Sequence, residues 1–315
     1  MLIKDADIAG YGPWLKFVWK GHITNWFWRD SQTRRLTRQK YYTIMKDSFF
    51  EKRYLPLIKS LHAENTIDYT VNPDEEKIFT LWFQGIENAP KVVKACIESI
   101  RRVYGDRLVV LDEKTMSDYI SLPSYIMEKW HQKKIIPANF SDIVRIELLT
   151  KYGGYWFDAT DYLLSPIPEV IKQADFFMFV TSPVLYTHMF VQTCFMRAKK
   201  GDALIKMWRE LVFEYWKREN RAADYFLVHM LFKALVTHNE EARSLFEKMP
   251  KLYQDNIHKF WYEYGHLPYE TSQIDILKNY AFFQKCSYRY LKHAVNKIKE
   301  GTLADYLINN KQEHR

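Results

Sequence analysis

The sequence predicts an α/β protein built on a Rossmann-type nucleotide-binding sheet, with helices added at both ends of the chain. Three observations predict it. Residues 77–83 (KIFTLWF) and 107–111 (RLVVL) are short continuous apolar runs, the pattern of strands buried on both faces. Between them, from Pro90 to about Tyr104, Val93, Ile97 and Ile100 recur at helical spacing. Strand, helix and strand in that order fold as a right-handed crossover. Further on, residues 138–164 (ANFSDIVRIELLTKYGGYWFDATDYLL) read as a helix, a glycine stop and a strand that ends in acids.

In order, residues 1–76 are expected to form a helical, basic, aromatic-rich region ending at the polar turn 72–76 (NPDEE). Trp14, Phe17, Val18 and Trp19 cluster there, then Trp26, Phe27 and Trp28, with cations between. Residues 1–60 hold twelve Lys/Arg and five Asp/Glu, which leaves +7 of the formal net charge of +8 in this stretch. Such a patch takes an anionic partner. Three readings stand: aromatics packed on the main core with the charges solvated, an anionic membrane surface, or, ranked last, nucleic acid stacked on the aromatics.

Residues 77–290 are expected to form the α/β domain. After its first crossover, residues 112–136 carry two short helical segments around Pro123, with Trp130, His131, Lys133 and Lys134 expected to be exposed. Pro137 precedes the next helix, and Asn139 or Ser141 can cap it. Ile143, Val144, Ile146, Leu148 and Leu149 form its apolar pattern, and Gly153-Gly154 stops it. Tyr155-Trp156-Phe157 is a short buried strand; Asp158 follows at its carboxyl end, where open α/β sheets bind ligands, and Asp161 comes three residues later. Strands are expected at 175–180 and 188–197, and helices at 203–217 and 222–236, with Asp224 in the first turn of the second. Residues 238–279 are polar, with an aromatic patch at 260–264 that suits an acceptor side. Residues 291–315 read as a basic helix or tail.

Composition narrows the class. The 315 residues can bury a large core, and 17% are aromatic, which suits stacking on sugars and bases and equally a membrane-interface protein. Cys96, Cys194 and Cys286 are isolated and show no metal-binding spacing, so a reduced, cytoplasmic compartment is expected. The first residues carry acids and no long apolar run, so no signal peptide is expected. No 18 apolar residues run together, so no spanning helix is expected either.

The helix at 138–152 places Asp142 and Arg145 three residues apart on one face. Alone, such a pair is ordinarily a surface ion pair. The full string, SD-I-x-R-x-x-x-L-x-x-x-GG-Y-W-F-D-A-T, resembles the nucleotide-sugar site of GT-A-fold glycosyltransferases. The likeness is to the capsular polysaccharide synthesis type, related to the DXD-containing, family-32-like mannosyl- and galactosyltransferase group. The resemblance implies a GT-A-like sheet and places Asp142, Arg145 and Asp158 on the donor's uridine, ribose and metal. It implies Mn²⁺ or Mg²⁺, ligated by Asp158. The second acid of DXD would fall at Thr160; either Asp161 supplies that carboxylate or the metal is held differently. The string 78–90 (IFTLWFQGIENAP) resembles the family's opening strand, with Trp82, or otherwise Phe83, stacked on uracil. Asn139 joins the donor-binding candidates. In the C-terminal loop, Gln284, Lys285, Ser287 and Tyr288 match a diphosphate clamp, with Lys285 and Ser287 as donor-binding residues. Asp158, Asp224 and Lys285 are the catalytic candidates. The relatives retain anomeric configuration, so no strong base is required; if the reaction inverts, Asp224 is the first candidate.

The resemblance therefore implies an enzyme that moves a hexose or N-acetylhexosamine from a nucleotide sugar, with UDP favoured, to a saccharide acceptor or a lipid-linked one. It would act in the cytoplasm or on the inner face of the plasma membrane. Two further classes stay open: an inactive membrane-associated scaffold, motivated by Thr160, and a nucleic-acid-binding protein using the basic N-terminal region. A glycoside hydrolase needs two acids across a sugar, and here both acids share one strand end beside the Asp/Arg pair.

Overall fold

The apolar runs pair because strands of this kind bury both faces at once. The computed structural model describes residues 49–181, 190–288 and 298–309. Its strands are β1 (Ile78–Leu81), β2 (Leu108–Leu111), β3 (Gly154–Phe157), β4 (Asp161–Leu163), β5 (Phe176–Val180), β6 (Val191–Ala198) and β7 (Phe283–Lys285). Five form one sheet in the order β2–β1–β3–β6–β5, and β4 pairs with β7 in a separate ribbon. β1 runs parallel to both β2 and β3. From β1 the chain crosses outward to β2 and then returns past β1 to β3, so β1 is a switch point. Right-handed crossovers in opposite directions place their helices on opposite faces and open a crevice at the strands' carboxyl ends.

The expected strand–helix–strand crossover is thus present, but the sheet is mixed. β6 is antiparallel to both β3 and β5. An apolar run reads alike in either direction, and β5 and β6 are joined by a link too short for a parallel crossover.

The helices are α1 (residues 49–60), α2 (Lys91–Tyr104), α3 (Ser124–His131), α4 (Pro137–Tyr152), α5 (Ala203–Arg218), α6 (Leu227–His238), α7 (Glu240–Lys248), α8 (Ser272–Tyr280) and α9 (Leu303–Ile308). α4 packs on α5, and α5 on α6, while α2 packs on β4 and α9. α1 belongs to the main core: Phe50, Tyr54 and Ile58 are fully buried, Arg53 pairs with Glu219 at 2.6 Å, and Asn239 Nδ2 donates to the carbonyls of Ile58 and Leu61. The core therefore continues across the polar turn at 72–76. The aromatic clusters at Trp14–Trp28, residues 289–297 and the last residues of the tail lie outside the described residues.

Three local expectations are corrected. α4 starts at Pro137, whose fixed φ and missing N–H suit a first helical position, and no side chain caps it. Asn139 is instead buried and donates to the carbonyl of Tyr225, at 3.1 Å. α6 starts at Leu227, so Asp224 precedes it, and its Oδ1 accepts the Phe226 N–H at 2.8 Å. Trp130 is half-buried in a three-ring cluster, with its centroid 4.2 Å from Phe140 and 5.3 Å from Phe83, which are 5.9 Å from each other. Such aromatic faces prefer each other to water.

Candidate active site

The site forms where β3 ends. Gly153 and Gly154 have φ of +70° and +91°. A Cβ on Gly154 would lie 2.2 Å from the Lys77 carbonyl oxygen, and one on Gly153 would lie 2.4 Å from the Lys200 nitrogen. Only glycine lets α4 turn so tightly into β3 beside β1. That turn fixes Asp158 one residue past the strand and opposite α4.

Arg145 is the hub. Its NH1 donates to the Thr193 carbonyl (2.6 Å) and to Thr193 Oγ1 (2.9 Å). Its NH2 donates to Ser141 Oγ (3.2 Å) and pairs with Asp142 (3.4 Å) and Asp158 (3.2 Å). The guanidinium lies 4.9 Å from the centre of the Trp156 ring. A planar fork with five donors suits this fan of acceptors, and a lysine would not supply it. Burial alone would raise the Asp158 carboxyl, but Arg145 and Lys285 outweigh burial and hold it below its ordinary value. Asp142 goes the other way: burial, against the pull of Arg145 and with Asp158 nearby, pushes it up to about 7.

Lys285 comes from β7, whose register sets it directly across from Asp161 on β4. Its ammonium sits 2.6 Å from Asp158 Oδ2 and 3.1 Å from Asp161 Oδ1. Burial would lower this lysine, but the two carboxylates overcome that and raise it. Asp161 is fully buried, and its Oδ2 accepts the Asp158 N–H at 3.1 Å. Burial, partly offset by Lys285, pushes its carboxyl up to about 7.

These groups face a cavity of about 520 Å³, of the size that holds a small ligand. Trp82, Phe83, Asp142, Arg145, Asp158 and Lys285 all line it. The Trp82 indole meets Tyr288 edge-on, with centroids 5.2 Å apart. Its buried Nε1 has no hydrogen-bond partner among the described residues. Asn139, Asp161, Ser287 and Asp224 are not part of the wall, although Tyr225 and Phe226, the neighbours of Asp224, are. Gln192, Thr193 and His229 also line it and were not expected. They come from β6 and α6, and only the apolar strings around them were readable in the sequence.

Among the described residues no group of three or more His, Cys, Asp or Glu side chains could hold a metal ion. Three of the four oxygens of Asp158 and Asp161 take hydrogen bonds within the protein, and the fourth, Asp161 Oδ1, is buried 3.1 Å from the Lys285 ammonium with no hydrogen bond among the described residues. A hard cation takes oxygen ligands only, and as these residues stand the Lys285 ammonium, not an open position, lies between the two carboxylates.

Comparison with known proteins bears on the class. Residues 25–307 match the family described as capsular polysaccharide synthesis protein, and the chain belongs to it. An O-glycosyltransferase of Annulohypoxylon truncatum is 23% identical over 159 residues, 45% of this chain and 38% of its own. An O-glycosyltransferase of Phomopsis amygdali is 24% identical over 159 residues, 45% of this chain and 39% of its own. The chain thus spans about two fifths of the length of these relatives. Among solved structures, the PaToxG glycosyltransferase shares 14% identity with a TM-score of 0.35, covering 66% of this chain and 86% of its own. The chain thus belongs to a capsular polysaccharide synthesis family and, over part of its length, is similar to two proteins that are themselves O-glycosyltransferases. No helix among the described residues is long and apolar enough to cross a membrane.

Proposed function

We propose that the protein is a GT-A-like glycosyltransferase that takes a hexose or N-acetylhexosamine from a UDP-linked donor and transfers it, with retention, to a saccharide acceptor. The observation that carries this reading is the convergence of Trp82 and Phe83 from β1, Asp142 and Arg145 from α4, Asp158 from β3 and Lys285 from β7 on one cavity at the sheet's switch point. Trp82 offers the base an apolar aromatic surface on the cavity wall. Asp158, ionised and held by Arg145, Trp156 and Lys285, lines the cavity beside the bond to be broken in this reading. Leaving-group charge grows on the diphosphate as the glycosidic bond breaks, and fixed positive groups on the wall stabilise it. Lys285 and Arg145 are those groups. The +7 charge of residues 1–60 supports a lipid-linked acceptor reached at an anionic membrane surface, on the cytoplasmic face.

The test is a thermal-shift screen of the purified protein against UDP, GDP, CDP and dTDP and their sugars, each with Mn²⁺, Mg²⁺ or EDTA. A ligand at about 100 times its dissociation constant adds about 2.7 kcal/mol. The expected result is a shift with one nucleotide class that Asp158→Asn removes. A screen without any shift would sink the reading.

A further inference from the structure

We propose that Lys285 is itself the cation of the donor site, in the place a divalent metal would take, and that the protein binds a nucleoside diphosphate without metal. The proposal rests on the reading of the cavity as a nucleotide-sugar site and goes beyond it. The ammonium lies between the two acids that would have to ligate an ion, 2.6 Å from one and 3.1 Å from the other. It is placed there by strand register rather than by a flexible reach, because Asp161 and Lys285 are directly paired across β4 and β7.

The acids are committed elsewhere as well. Asp158 Oδ1 takes the Trp156 indole N–H at 2.9 Å and the Arg145 guanidinium at 3.2 Å, which leaves Oδ2 for Lys285. Asp161 has no exposure to solvent, and its Oδ2 holds the Asp158 backbone. A divalent ion entering here would have to expel Lys285 and strip a mostly buried ammonium of both its partners, and breaking a buried pair is costly. The residue that faces the cavity where a second ligating acid would be useful is Thr160, which is neutral and pinned by its carbonyl to the Cys286 N–H at 2.8 Å. An ammonium has three N–H donors. One is hydrogen-bonded to Asp158, the ammonium also pairs with Asp161 at 3.1 Å, and a further N–H can reach a diphosphate oxygen in the cavity that Lys285 lines. A fixed ammonium in a partly dry site needs no reorganisation as charge develops on the leaving group.

The experiment is calorimetric titration of UDP, GDP, CDP and dTDP into the full chain, in EDTA and again in Mg²⁺ or Mn²⁺. The affinity for the accepted nucleotide should agree within about threefold between the two conditions. Lys285→Ala should weaken binding in EDTA by about tenfold or more, since a hydrogen bond to a charged group is worth that much, and Lys285→Arg should recover most of it. The double variant Thr160→Asp, Lys285→Ala should bind better with Mn²⁺ than in EDTA. Melting curves report whether the variants fold, and the wild-type comparison decides the matter without them. Binding that vanishes in EDTA and returns with metal would overturn the lysine proposal while leaving the donor site standing. Failure of all four nucleotides in both conditions would overturn the donor site and this proposal together.

Discussion

Arg145 is where the site's geometry and the protein's stability meet. Its side chain, 7% exposed, compensates Asp142 and Asp158 at once. Arg145→Ala leaves Asp142 buried without its counter-charge and Asp158 with Lys285 alone, and removing one partner of a buried pair costs about 3–5 kcal/mol. Urea unfolding should show that loss, with Arg145→Lys intermediate because the charge survives but the fork does not. A loss below about 1 kcal/mol, the value of an exposed pair, would mean that the network is solvated. His258 provides a second residue-scale test. Burial, with Lys285 adding repulsion, pushes its imidazole down to about 4. The folded state therefore binds its proton later than the unfolded chain, whose pKa is about 6.5. The stability this contributes is complete above about pH 6.5 and is lost as the pH falls towards 4. Between pH 8 and 5 the wild type should lose about 2 kcal/mol more than His258→Gln. Parallel slopes for the two proteins would remove the argument.

At the scale of elements, the turn from α4 into β3 determines where Asp158 stands. Gly154 sits at φ +91° with its missing Cβ aimed at the Lys77 carbonyl. Gly154→Ala must both adopt a rare conformation and displace the start of β1, so a destabilisation of at least about 1–3 kcal/mol is expected. Denaturant midpoints check this, and a neutral substitution would show that the turn has slack. The same unit explains what could be read in advance. Asp142, Arg145, Gly153, Gly154 and Asp158 lie within seventeen residues of one string, and a helix, a stop and a strand have local signatures. Thr193 and His229 do not: they reach the cavity only because β6 pairs with β3 and α6 packs on β6, and neither pairing has a mark in the sequence. The direction of β5 and β6 was equally hidden, since apolar strands carry no arrow. The start of α6 slipped from 222 to 227 because Asp224 hydrogen-bonds the backbone two residues on and holds a turn instead.

The whole molecule divides its labour unevenly along the chain. Everything that builds the cavity lies between Leu81 and Tyr288, while +7 of the formal charge of +8 lies in residues 1–60. Only part of that charge belongs to the described structure: Arg53 on α1 is committed to Glu219. A surplus of this size, interleaved with Trp14, Trp19, Trp26 and Trp28, is redundant for a cavity whose own cations, Arg145 and Lys285, already have acidic partners. It fits an anionic surface, where each lysine or arginine adds about 1 kcal/mol at low salt, and the tryptophans match the headgroup layer. Cosedimentation with vesicles should therefore show binding to mixtures containing phosphatidylglycerol and little to pure phosphatidylcholine. Raising the salt from 0.1 M towards 1 M shortens the Debye length from about 10 Å to about 3 Å and should release most of the protein. Equal binding to both vesicle types would assign the contact to the aromatics alone, and no binding to either would return these residues to the packing of the core.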